Sequence, residues 1–127
     1  MVKSYYDESN KIMKSTFEGD IYLKEITDYI DATRLNTKNP RKLKILTDSR
    51  NSNLHIHPED LQTIVEANNR SLEVYEYIAD AIVLDNPHDT AISYLYGELS
   101  KKNNYYFKLF SDYNIAEKWI KEFSPIE

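Results

Sequence analysis

A chain of 127 residues, 41% hydrophobic and 29% charged, has the size and composition of one ordinary folded domain, long enough to bury a core and too short for two. Its net charge of -5 argues against a general nucleic-acid binder, which needs a basic face to neutralise phosphates, and the absence of cysteine removes disulfides, thiol catalysis and cysteine-ligated metal. No apolar run approaches membrane-spanning length, and Met1 to Tyr6 lacks the apolar core of a signal peptide, so cytoplasmic residence is expected.

In chain order, Val2 to Tyr6 and Lys11 to Phe17 are β-prone, and the polar turn formers Asp7-Glu8-Ser9-Asn10 between them predict an antiparallel hairpin. Gly19 permits a sharp turn, and Asp20 can cap the next element. From Ile21 to Leu35, Tyr22, Ile26, Tyr29, Ile30 and Thr33 recur at helical spacing and predict a first amphipathic helix, which ends before Pro40. Leu43 to Asp48 reads as a parallel strand inside a sheet, and the polar run Ser49-Arg50-Asn51-Ser52-Asn53 as the loop that closes it. Pro58 with Glu59 and Asp60 starts a second helix, whose face is Leu61, Ile64, Val65, Asn68 and Leu72.

Ile78 to Leu84 is almost continuously apolar, as a strand covered on both faces should be, and Asp80 is the exception that needs a partner or an exposed position. Asn86-Pro87 opens a third helix with Ala91, Ile92, Leu95, Tyr96 and Leu99 as its inward stripe, ended by Lys101 to Asn104. Tyr105 to Phe110 reads as a strand closer to an edge. Asp112 caps a last helix that turns Ile115, Ala116, Trp119, Ile120 and Phe123 inward before Pro125. The expectation is a single α/β domain over residues 1–127: one mixed, mostly parallel five-stranded sheet with an N-terminal antiparallel hairpin and four helices, in the order ββαβαβαβα.

This order resembles the SpoIIAA-like family of the STAS superfamily, which is itself similar in fold to CRAL-TRIO lipid-binding domains. The resemblance rests on Phe17-Glu18-Gly19, on Leu43 through Arg50, on Pro58-Glu59-Asp60, on Ile78 through Val83, and on Phe110-Ser111 through Ala116 to Ile120. It implies a fold rather than a chemistry, because each piece is a packing pattern. STAS proteins that antagonise anti-sigma factors carry a phosphorylated serine in an Asp-Ser-Ser-Gly motif at a helix start. The implied equivalent is Asp48-Ser49, with Ser49 as the phosphosite, although Arg50 and Asn51 replace the second serine and the glycine and the helix start lies later, at Pro58. The alternative for Ser49 is a solvated loop with local hydrogen bonds.

Other residues offer chemistry with less pattern. His55 and His57, two apart in an extended segment, point the same way and could ligate zinc with Asp60 or His88; otherwise His57 caps the helix and His55 is solvated. Asp48, Asp85 and Asp112 stand at strand ends, where an α/β enzyme gathers carboxylates, and also where such residues cap helices for local reasons. There is no nucleophile elbow, phosphate-binding glycine loop or dinucleotide fingerprint, and the chain has two glycines in all. Lys38, Arg41, Lys42 and Lys44 form the one basic concentration, suited to weak contact with an anionic membrane surface or simply solvated.

The expected ligand site is the loop beyond Asp48, with Ser49 and Arg50, together with the face between the first two helices, where Tyr22, Ile26, Tyr29, Leu61 and Val65 would line an apolar pocket. The expected function is a non-enzymatic STAS-like regulatory or protein-interaction module. It needs no cofactor, acts on a protein partner or itself, and has no sizeable cavity. A carrier of a lipid-like small molecule comes second and predicts an enclosed apolar pocket. An enzyme using the strand-end carboxylates comes third.

Overall fold

The structure, a computed structural model, describes residues 1–125. The elements alternate as their sequence periods require: β1 (Val2–Asp7), β2 (Ile12–Tyr22), α1 (Leu23–Leu35), β3 (Lys42–His55), α2 (Leu61–Leu72), β4 (Tyr77–Val83), α3 (Pro87–Leu99), β5 (Tyr105–Phe110) and α4 (Tyr113–Glu122). A short 3-10 turn, Pro58–Asp60, leads into α2. The strands form one five-stranded sheet in the order β1-β2-β3-β4-β5, antiparallel at β1/β2 and parallel at every other step. The mixed sheet with four helices is the architecture expected from the sequence.

Each parallel step moves to the next strand in the same direction. Right-handed crossovers therefore place α1, α2 and α3 on one face. Their apolar residues meet Phe17, Ile21, Leu54, Ile56 and Ile82 of the sheet and its edges, while Ala116 and Ile120 of α4 cover the opposite face on Ile12, Leu46, Ala79, Ala81 and Val83. β4 divides between the two: Ile78, Asp80 and Ile82 point to the three-helix side, and two alanines on the other side let α4 approach closely.

Three local expectations are corrected. β2 does not turn at Gly19; it runs on to Tyr22, and Gly19 sits inside it at φ 72°, a left-handed conformation that glycine adopts without cost. β3 likewise runs through the polar stretch to His55, because Asn51 to His55 pair with Glu18 to Tyr22. Between Thr16↔Asp48 and Glu18↔Asn51 the register slips, so that Ser49 and Arg50 stand opposite Phe17 alone. This bulge changes which residues point inward: Ile45, Thr47 and Ser49 before it, Ser52, Leu54 and Ile56 after it.

The third correction concerns α3. Leu95 and Leu99 are 43% and 55% exposed, and the buried positions are Asp89, Ile92 and Ser93. Asn86 caps the helix by accepting from the Asp89 backbone N–H at 2.9 Å, and the buried Asp89 carboxylate accepts from the Leu54 N–H at 3.3 Å. That pair of bonds sets the rotation of α3 about its axis.

Candidate functional site

Between the sheet and its three helices lies a cavity of about 110 Å³. α1 closes it with Ile26, Tyr29, Ile30 and Thr33, and α2 with Leu61, Ile64, Asn68 and Ser71. Ile92, Ser93 and Tyr96 of α3 form a third wall; Phe17, Ile45, Asp80 and Phe107 form the sheet floor. No residue of α1 is fully buried: Ile26, Tyr29 and Ile30 are partly buried against the core and also border the cavity.

The cavity's polar groups are few. Tyr105 donates its hydroxyl hydrogen to Asp80 Oδ2 at 2.9 Å, and the Tyr105 oxygen lies 3.0 Å from the Tyr96 hydroxyl, which must then be the donor of that second bond. Tyr29 pairs with the Ser15 hydroxyl at 2.6 Å. Asn68 and Ser71 of α2 also line the cavity, and their buried atoms Asn68 Nδ2 and Ser71 Oγ have no protein hydrogen-bond partner among the described residues.

Burial raises the Asp80 carboxyl to about 6, with the Tyr105 hydroxyl pulling it partly back. Burial, reinforced by the Asp80 charge, pushes the phenols of Tyr29, Tyr96 and Tyr105 upward, so all three remain protonated hydrogen-bond donors at neutral pH.

The residues expected from sequence separate into two places. Ile26, Tyr29 and Leu61 line the cavity; Val65 is buried in α2 without lining it. Tyr22 is 54% exposed and stacks on His55 at 4.7 Å between ring centres, outside the cavity. Asp48 and Arg50 lie on the opposite sheet face, in a polar cleft with Tyr5, Lys14 and Tyr113 beside α4. There Arg50 binds both Asp48 oxygens at 2.9 and 2.8 Å, which holds that carboxyl below its ordinary range. Asp85 and Asp112 also favour the Arg50 charge, so the strand-end carboxylates gather on a cation, and Asp112 caps α4 by accepting from the Ile115 N–H at 2.9 Å. Lys14 in this cleft is paired with Asp7 and Glu117, both at 3.3 Å.

Ser49 is not on a loop. It is 0% exposed, and its hydroxyl lies 2.6 Å from that of Ser52, so a phosphate on it requires β3 to detach locally. Strand order never reverses, so the sheet has no topological switch point at the end of the central strand, and the space beside Asp48 and Arg50 is the polar cleft next to α4. His55 contacts Asp20 at 2.9 Å, and the His57 backbone N–H donates to Asp60 Oδ2 at 3.0 Å. Among the described residues no three His, Cys, Asp or Glu side chains come together to hold a metal. The basic residues do not form one surface. Arg41 donates to the Asn36 and Asn39 carbonyls and lies over the Tyr75 ring, while Lys44 donates to the Lys121 carbonyl on the α4 side.

Asn68 and Ser71 are legible in the sequence as polar residues on the apolar side of α2, and Asp80 as the polar exception in its strand. Tyr96 belongs to the inward stripe expected for α3, whereas Tyr105 and Phe107 have no signal of their own, since their meeting with Asp80 depends on the β4/β5 register.

No family model and no curated protein matches the chain. Among solved structures it is similar to an uncharacterized protein of the DUF3478 family, with a SpoIIAA-like fold, from Shewanella loihica PV-4. The likeness is at 11% identity over 94% of this chain and 92% of that one, with a TM-score of 0.59. At that identity the likeness is one of fold, and the chain has a SpoIIAA-like fold.

Proposed function

We propose that the protein is a non-enzymatic binding module for a small molecule with an apolar body and one polar end, held beneath α1. One observation carries this reading: an apolar cavity whose lining includes the carboxylate residue Asp80 and the polar residues Asn68 and Ser71. The expectation of a protein-interaction module predicted no such space, so the cavity favours the small-molecule reading instead. A cavity of roughly 150 Å³ takes the six heavy atoms of benzene, so about 110 Å³ suits an apolar body of about four heavy atoms, well short of a full acyl chain. α1 is the natural point of entry, because it is the wall with no fully buried side chain.

Titration of isotopically labelled protein with a panel of five- to seven-atom apolar alcohols, amines and acids tests the reading. Saturable shifts confined to the methyl groups of Ile26, Ile64, Ile82 and Ile92 are expected. Uniform silence of those methyls across the panel would overturn it. A second reading, a surface for a protein partner or a second copy, is supported by Tyr94, Leu95 and Leu99, which leave one side of α3 apolar and exposed.

A further inference from the structure

We infer that the cavity selects a small organic ammonium ion, with Asp80 as its counter-ion and the surrounding aromatic rings as its walls; this rests on the small-molecule reading above and names the class of ligand.

Asp80 lacks a counter-charge. Among the described residues its one hydrogen-bond partner is the Tyr105 hydroxyl, and no lysine, arginine or histidine pairs with it. The groups that face it from the packed elements are uncharged: Tyr105 of β5, Tyr96 of α3, Tyr29 of α1, Thr47 of β3, and Asn68 and Ser71 of α2. An anion buried without a cation is costly, and a ligand that supplies the missing charge recovers that cost on binding. Both phenol hydrogens of the Tyr96–Tyr105 pair are already committed to the chain that ends on Asp80, so an anionic ligand meets a carboxylate and finds neither of these phenols free to donate to it.

The rings around the carboxylate suit the same class of ligand. Phe17 and Tyr29 meet edge to face at 5.6 Å and 87°, and Tyr96 and Phe107 do so at 5.0 Å and 82°. Four rings in two nearly perpendicular pairs line the same cavity as the carboxylate, which is the composition of an aromatic cage for alkylammonium groups. Burial raises Asp80 to about 6, still below neutrality, so the carboxylate is ionised at neutral pH and protonated in mild acid.

The test compares three molecules that share one branched chain, isoamylamine, isoamyl alcohol and isovalerate, by calorimetry against the full chain at pH 7.5 and pH 5. The amine is expected to bind at least tenfold more tightly than the alcohol at pH 7.5, and about tenfold more weakly at pH 5 than at pH 7.5, as the fraction of ionised Asp80 falls. Asp80→Asn should bring amine affinity down to that of the alcohol. Tyr105→Phe should retain amine binding and shift its loss to a higher pH, because it removes the bond that favours the ionised carboxyl. Alcohol or isovalerate binding as tightly as the amine, or an amine affinity unchanged in Asp80→Asn, would overturn the ammonium assignment and leave the cavity reading standing. Absence of binding by all three would overturn both.

Discussion

Tyr105 and Asp80 are diagonal neighbours across β5 and β4: Asp80 stands opposite Phe107 in the parallel register, and the Tyr105 hydroxyl reaches back two residues to its carboxylate at 2.9 Å. The bond joins an edge strand to an interior one and ends on the single acid of an otherwise apolar β4. The stability of the fold should therefore depend on the proton that Asp80 carries.

Folding raises this carboxyl from 3.8 to about 6, so the folded chain holds the proton more tightly than the unfolded one. The contribution of Asp80 to stability is therefore greatest below pH 3.8, falls as the pH rises through the interval up to about 6, and is level above it. The difference corresponds to a loss on the order of 2–3 kcal/mol at neutral pH. Asp80→Asn keeps an acceptor for Tyr105 and removes the charge, so it should be more stable than the parent at pH 7 by about that amount and similar to it near pH 4. Chemical denaturation of both proteins at half-unit pH steps reads the difference directly. A gap that does not change with pH would show that Asp80 is not a buried carboxylate.

Asn68 offers a second gain in stability at the expense of function. It is 6% exposed, and its Nδ2 has no protein hydrogen-bond partner among the described residues, an arrangement worth about 1–3 kcal/mol of destabilisation. Asn68→Leu replaces the orphaned donor with a side chain of similar size that suits Leu61 and Ile64 along the same face. We expect a rise of about 1–2 kcal/mol in unfolding free energy, together with weaker binding of any cavity ligand. Calorimetry of the variant measures both, and a destabilised variant would mean that Asn68 is satisfied in solution.

The legibility of the fold depends on which residues signal locally. The helices and the β4 run announce themselves by period, and those elements are where they were expected. The outer half of β3 does not, because its outward residues Arg50, Asn51, Asn53 and His55 are polar and its inward ones begin with two serines satisfied by each other and by the Ser49 carbonyl. A strand that is polar on both sides reads as a loop. The rotation of α3 misleads for a different reason. Leu95 and Leu99 look like its core stripe, but a buried carboxylate bonded to a strand 35 residues earlier decides the rotation, and no local period carries that contact. The site is half legible: Asp80 stands out in its strand and Ile26, Tyr29 and Leu61 on their helix faces, while the rings of Phe17, Tyr105 and Phe107 arrive from β2 and β5.

The two glycines should respond differently to a methyl group. At Gly97 a Cβ would stand 2.9 Å from Cδ2 of the Phe107 ring, which lines the cavity floor and packs on Tyr96. Gly97→Ala recovers about 1 kcal/mol of helix propensity and meets about 1–3 kcal/mol of overpacking, for a net loss of up to about 2 kcal/mol and a displaced ring. At Gly19 nothing lies within 4 Å, yet φ is +72°. Gly19→Ala should cost about 1–2 kcal/mol through backbone strain alone, and Gly19→Asn less. Urea unfolding of the three variants separates the cases, since only the Gly97 change should also alter the spectra of the cavity rings.

α1 should be the first part of the three-helix layer to open. Its Lys24–Asp28 pair at 2.8 Å is solvent-exposed and contributes little, none of its side chains is fully buried, and its inward residues border empty space. α4, by contrast, is fixed by Ala116 and Ile120, both completely buried against the sheet. Amide hydrogens of residues 26–35 should therefore exchange at least tenfold faster than those of 116–122 under native conditions, a difference of about 1.4 kcal/mol or more in opening free energy. Saturation with a cavity ligand should slow α1 and leave α4 unchanged, because α1 lines the space that is filled and α4 does not. Mass-spectrometric exchange with and without isoamylamine makes the comparison. Equal protection of the two helices, with no response to the ligand, would mean that α1 is not the gate to this cavity.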